Sequence, residues 1–196
     1  MRHILLLPAF IATLALCACL PVTSKVEVGT TVGFKPDPAL LGTWRARDAD
    51  TDTPVYVHIL GKEDGSMTAV LVTPPYKQNL GDWSIYALRA ATLGTNHILN
   101  AQEQIANGKP SSGPLATQPV LLLYRTSGGG KLTLYQLDDK ATAAAIRAGE
   151  IAGEIDPGDT GDVRITASAA ALDKFFASAR AAKLFSKVLV TLTRLD

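Results

Sequence analysis

The chain has 196 residues, 19 basic and 18 acidic side chains, a net charge near +1 and two cysteines. Balanced charge without Lys/Arg clusters excludes the electrostatic footprint of a nucleic-acid binder, and two cysteines are too few for a disulfide-stapled scaffold. The length suits one domain with its own core and leaves little room for a second.

The first element is "MRHILLLPAFIATLAL", a basic start at Arg2 followed by an apolar run of 13 residues from Ile4 to Leu16. Crossing a bilayer as a helix takes roughly 20 residues, so the pattern predicts a secretory signal peptide over residues 1–18 rather than a permanent anchor. Leu16, Cys17, Ala18 and Cys19 resemble the lipobox of bacterial lipoproteins. That resemblance implies cleavage after Ala18 and lipidation of Cys19. Leu20 rather than an acid follows, which by the same resemblance implies the periplasmic face of the outer membrane. The membrane partner would then be reached through several acyl chains, which hold far more firmly than one. A plain secreted protein with Cys19 left as an odd thiol is the alternative.

Residues 19–39 include "LPVTSKVEVGTTVGFKPDPA", with three prolines and no sustained period, and are expected to form a lipidated flexible tether. Residues 40–196 are expected to form a single β-rich domain. Short apolar runs alternate with turn residues: "GTWRARD", "PVYVHIL", "SMTAVLVT", "DWSIYALRAATLG", "NHILNAQ", "QPVLLLYRT", "KLTLYQL", "VRITA" and "KVLVTLTRL" make about nine strands. Closely spaced strands favour a barrel or sandwich over alternating βα units. Two helices interrupt them. One spans about 138–148, capped by Asp138 or Asp139 and ended by Gly149. The other is amphipathic over about 168–184, with Leu172, Phe175, Phe176, Ala179 and Ala182 on its apolar face.

Gly42 and Trp44 form a Gly-x-Trp on the first domain strand, and Arg194 lies on the last. This pairing resembles the lipocalin-like (calycin) superfamily. The resemblance implies a mainly β, antiparallel barrel or half-barrel in which Arg194 stacks on Trp44 to close one end. The span from "LGTW" through "IRAGEIAGEI" to "LFSKVLVTLTRL" also resembles small bacterial lipoproteins, a likeness that implies no activity.

Other motifs lack the residues their chemistry requires. Asp48, Asp50 and Asp52 alternate as in a calcium loop, but Thr53 and Ile59 stand where the glycine and bidentate glutamate belong, so a solvated hairpin is expected. Asp156, Asp159 and Asp162 sit among turn-forming Pro157, Gly158 and Gly161. "SGGGK", Ser127 to Lys131, is followed by Leu132 and a strand, so a hairpin turn is expected rather than a phosphate loop. His58 and His97 have no partner at metal-ligand spacing, and no Gly-x-Ser-x-Gly is present. No metal, cofactor or catalytic residue is assigned. An enzyme would need folding to bring His97 or His58 beside an acid in a cleft.

Trp83, Tyr86, Tyr124 and Tyr135 fall on neighbouring expected strands, either as core or as the lining of a small-ligand pocket. The expected function is therefore an envelope lipoprotein that binds a small apolar or lipid-like molecule without catalysis. The alternative is a protein-interaction or structural module with no ligand cavity.

Overall fold

The computed structural model describes residues 21–47, 52–75, 80–157 and 161–195. In chain order the first strands are β1 (Thr23–Ser24), β2 (Gly42–Arg47), β3 (Pro54–Gly61), β4 (Met67–Thr73), β5 (Asp82–Leu93), β6 (Asn96–Ala106) and β7 (Lys109–Pro110). A helical turn α1 (Pro114–Thr117), strands β8 (Val120–Ser127) and β9 (Lys131–Gln136), and helix α2 (Asp139–Arg147) follow. Last come β10 (Gly153–Ile155), β11 (Val163–Ile165), α3 (Ala169–Phe176), α4 (Ala179–Ala182) and β12 (Lys187–Arg194).

Eight strands, β2-β3-β4-β5-β6-β8-β9-β12, form a closed antiparallel barrel. Each pairs with the next in that order, and the ring closes where β12, already paired with β9, places Arg194 opposite Trp44 and Thr193 opposite Arg45 of β2. A half-barrel is therefore not what the chain adopts. Of the nine expected strands, "VRITA" lies outside the ring. As β11 it pairs with β10 and with β1, and β1 meets β8 at Thr23–Val120 to extend the wall sideways.

Alternation along the strands separates two apolar cores. One fills the barrel: Trp44, Ile59, Met67, Leu88, Leu99, Leu122, Leu132 and Leu192 are buried together. The other lies on the outer face of β5, β6 and β8, where Ile98, Leu121 and Leu123 meet Ile165, Leu172 and Phe176 of the insertion between β9 and β12. This is why "VLLLY" reads apolar on both faces: Leu122 and Tyr124 point in while Leu121 and Leu123 point out.

The segment expected to be a tether is, from residue 21 onward, part of the fold. Val22, Ser24, Val28 and Leu40 are buried. Asn100 clamps this segment, its amide oxygen accepting from the Val28 backbone N–H at 2.8 Å and its amide nitrogen donating to the Val28 carbonyl at 2.9 Å. Asp173 holds the next turn, accepting from the Gly29 N–H at 2.6 Å and the Thr31 N–H at 2.9 Å. The prolines and glycines here shape turns that wrap the outer wall. Residues 1–20 lie outside the described residues, as do Cys19 and the cleavage site.

Helix α2 has Asp138 as its N-cap, accepting from the Ala141 N–H at 2.8 Å. The expected second helix is two short ones. It stops at Phe176, and Ser178 takes an extended conformation (φ −87°, ψ 150°) as the N-cap of α4. Asn96 receives the freed ends, donating to the Phe176 carbonyl at 2.8 Å and the Ser178 carbonyl at 3.2 Å. The break changes the phase, so Ala181 is buried while Ala179 is exposed.

Candidate functional site

The barrel has two dissimilar ends. At the closed end the turn before β2 folds across the opening and buries Leu40 completely. Gly42 has φ 120°, a conformation L side chains rarely adopt, and it bends the chain from that turn into β2. The Trp44 indole N–H donates to the Leu40 carbonyl at 2.8 Å. Arg194 lies over the indole with its guanidinium carbon 4.3 Å from the ring centroid. The same guanidinium donates to the Leu41 carbonyl at 2.6 Å and the Ala39 carbonyl at 2.7 Å. Gly42, Trp44 and Arg194 thus come together, with the turn at residues 39–41 as the third partner that strand spacing alone does not show.

Tyr124 points inward at this same end, buried, and its hydroxyl donates to Asp37 at 2.9 Å. Burial, then the hydrogen bond to Asp37 and its charge, push the phenol well above the ordinary tyrosine range. His97 stands beside it, its ring centroid 5.5 Å from that of Tyr124 and its Nδ1 3.2 Å from the Thr92 hydroxyl. His97 is exposed, and His58, also exposed, has its Nδ1 3.2 Å from the Thr43 hydroxyl.

The opposite end is the mouth. There the interior side chains Leu71, Tyr86, Val120, Leu134 and Val190 are half-buried, and Ala46 and Ala101 are small. A polar cluster interrupts this wall. Tyr86 on β5 sits directly opposite Glu103 on β6, and its hydroxyl donates to the Glu103 carboxylate at 3.0 Å. Ser111, just after β7, donates to the other carboxylate oxygen at 2.5 Å. Burial first, then the Glu103 charge and hydrogen bond, push the Tyr86 phenol up to about 12. Here a neutral phenol and a neutral serine hydroxyl hold a carboxylate among the apolar side chains of the barrel mouth, an arrangement suited to fixing one polar group of an otherwise apolar molecule.

The four aromatic residues proposed to line a pocket do not share a face. Tyr86 and Tyr124 point into the barrel, at the mouth and the closed end respectively. Trp83 is three residues from Tyr86 on the same strand, so it points outward, where it lies half-exposed against Gly108 in the β6–β7 turn. Tyr124 pairs with Leu134, which turns Tyr135 to the outer face, 5.5 Å beneath the Arg125 guanidinium carbon. Glu103 and Ser111, which the sequence reading left out, supply the polar side of the mouth. The available signal was an acid in an inward position of a strand whose other inward residues are apolar.

Outside the barrel, a groove of about 350 Å³ runs along the β1-β11-β10 extension, lined by Pro21, Thr23, Pro114, Gln118, Glu154 and Arg164 among others. Its lining mixes apolar side chains such as Ile155 and Val163 with the charged Asp156 and Asp162, and it lies outside the barrel. Ser127 pairs with Lys131 across the glycines of "SGGGK", which form the β8–β9 hairpin turn. Asp52 pairs with Arg47 at 3.1 Å, while Asp48 and Asp50 lie outside the described residues. The Asp156 N–H donates to the Asp162 carbonyl at 2.8 Å across the β10–β11 connection; Asp159 lies outside the described residues. Among the described residues no group of three or more His, Cys, Asp or Glu is arranged to hold a metal ion, and no helix is long and apolar enough to cross a membrane.

No protein-family model matches this chain, and neither a curated protein nor a solved structure is significantly similar to it. The functional reading therefore rests on the barrel and its mouth.

Proposed function

We propose that this protein is a non-catalytic envelope lipoprotein, anchored through an acylated Cys19 to the periplasmic face of the outer membrane, whose barrel mouth binds a small apolar or lipid-like molecule. One observation carries the binding half of this reading: an apolar, half-buried ring at the mouth broken by the Tyr86–Glu103–Ser111 cluster. The closed half is occupied by Trp44, Leu40, Leu132 and Leu192, so the ligand site is shallow and confined to the mouth. A bound molecule would lay its chain against Leu71, Leu134 and Val190 and offer a hydroxyl or amine to Glu103. The lipid anchor rests on the lipobox resemblance of residues 16–19.

The test is mass spectrometry of the full-length protein purified from the envelope, under native and denaturing conditions. A non-covalent mass that leaves on denaturation, and that is lost in Glu103→Gln purified in parallel, supports mouth binding. A bare mature mass that stays bare after incubation with envelope lipid extract overturns it. The denatured mass separately reads acylation at Cys19. The second reading, a protein-interaction module, draws on the charged outer groove beside the β10 edge strand. It would be supported by a stoichiometric partner whose capture Arg164→Glu abolishes.

A further inference from the structure

The barrel strands alternate in direction, so the connections β2–β3, β4–β5, β6–β8 and β9–β12 all leave from the mouth end. That end carries apolar side chains that no other described residue covers. Leu80, in the β4–β5 connection, is 91% exposed, and Trp83, at the start of β5, is 42% exposed. Val188 and Leu189 are 55% and 50% exposed at the start of β12, where the register with β9 shifts between Val188 and Val190 and frees Leu189 from the pairing. Leucine, valine and tryptophan exposed around the barrel mouth are poorly suited to water. Tryptophan in particular favours the boundary between headgroups and hydrocarbon, where its ring is buried and its N–H stays hydrated.

The closed end also bears exposed apolar groups, Leu60 and Leu195, so exposure alone does not choose between the two ends. The path of the chain does. Thr23 pairs with Val120, the first residue of β8 at the mouth end, and its hydroxyl donates to Gln118 at 2.7 Å. Pro21 lines the groove beside Pro114 and Gln118, in the connection that enters β8. Cys19 precedes Pro21 by two residues, and two residues reach at most about 7 Å. Because Val22, Thr23 and Ser24 are buried, no slack exists beyond that reach. A lipid on Cys19 would therefore be held beside the mouth, not several nanometres away.

We propose that the barrel sits mouth-down on the phospholipid bilayer, with Leu80, Trp83, Val188 and Leu189 seated in the interfacial layer and the mouth facing the lipid. This rests on the lipid-anchor reading above. The anchor makes contact of the rim with lipid an intramolecular event, so a rim too weakly apolar to bind vesicles alone is sufficient once Cys19 is inserted. A ligand at Glu103 would then enter from the membrane without crossing water.

Trp83 is a built-in probe, since the other tryptophan, Trp44, is buried at the far end. The full-length acylated protein would be reconstituted into vesicles of phosphatidylcholine and phosphatidylglycerol, with and without phosphatidylcholine carrying a doxyl group high on its acyl chain. A Trp83→Phe sample would supply the Trp44 background. Seating predicts that doxyl lipid quenches most of the Trp83 emission and that vesicles protect it from acrylamide. In Leu80→Asp/Leu189→Asp, which alters only exposed side chains, quenching should fall several-fold while the protein still floats with the vesicles. Acylated, vesicle-bound protein whose Trp83 is unquenched by lipid overturns the seating and leaves the anchor standing. Trp83 shielded from acrylamide but unquenched by lipid overturns it in favour of a protein cover, such as a second copy. A mature chain without acyl mass at Cys19 overturns the anchor, and the seating with it.

Discussion

The Arg194 guanidinium sits over the Trp44 indole with its central carbon 4.3 Å from the ring centroid while its nitrogens reach the carbonyls of Leu41 and Ala39. One side chain thereby ties the last barrel strand, the first barrel strand and the covering turn together. Arg194→Ala should cost about 2 kcal/mol, the scale of a desolvated cation–π contact. Arg194→Lys should recover little, because an ammonium cannot donate as a planar fork to two carbonyls while stacking. Trp44→Ala should cost about 3–5 kcal/mol, since it also opens a cavity under Leu40. Urea midpoints of the two single variants and the double variant check this. Additive losses would mean that the stack contributes nothing beyond packing.

Asp173 is buried on α3, and both its oxygens accept backbone N–H groups from residues 29 and 31. Asp173→Ala would leave those donors buried without partners, and hydrogen bonds to a charged group are worth about 1.5–3 kcal/mol each. Hydrogen exchange should therefore speed up over residues 22–34 by at least tenfold, with the barrel strands little changed. Gly29 should behave likewise. Its φ is 100° and a Cβ there would collide with the Cβ of Ala91, so Gly29→Ala should detach the same segment. Unchanged exchange in both variants would mean that the segment is held elsewhere.

Most of the barrel was legible because its signal is local. Strand alternation in "PVYVHIL" or "KLTLYQL" reports one face buried and the other not, and hairpin glycines mark the turns. What escaped is what depends on distant partners. The Pro- and Gly-rich stretch from residue 21 reads as linker because what makes it part of the fold is long-range: the pairings of β1, the Asn100 and Asp173 clamps and the Asp37–Tyr124 bond. "VRITA" reads like any other strand, and its place outside the ring follows from its pairing with β1. The aromatic quartet failed on parity, which the sequence does contain: residues 83 and 86 on one regular strand cannot both face inward. The 39–41 carbonyls under Arg194 left no trace in side-chain pattern at all.

The break between α3 and α4 is a further case where a distant residue decides local structure. Ala-rich sequence favours continuing the helix through residue 177, yet Asn96 donates to the carbonyls of Phe176 and Ser178 and holds the chain open. Asn96→Ala should cost about 1–3 kcal/mol through two carbonyls left without their donor. Ser178→Ala removes the cap of α4 and should cost about 1 kcal/mol. Thermal melts of both variants test the ranking. A larger loss in Ser178→Ala than in Asn96→Ala would show that the cap, not the strand-to-helix bonds, sets the break.

The mouth cluster should reveal itself at alkaline pH. Tyr86 has its phenol pushed up to about 12, by burial first and then by Glu103, from an ordinary value of 10.0. The folded state thus holds the Tyr86 proton where the unfolded chain has released it. Stability from this source is fully present below pH 10, falls as pH rises between about 10 and 12, and is gone above the folded value. Tyr124, raised in the same direction by burial and Asp37, adds to the fall. Tyrosinate absorbance should show Tyr86 and Tyr124 titrating late, with one late step missing in Tyr86→Phe and the other in Tyr124→Phe. The Glu103→Gln variant separates the causes. It removes the carboxylate charge but keeps the burial, so the Tyr86 step should move only part of the way back toward 10. A Tyr86 step at the ordinary value in the wild-type protein would mean that the phenol is hydrated and that the mouth is more open than its half-buried lining implies.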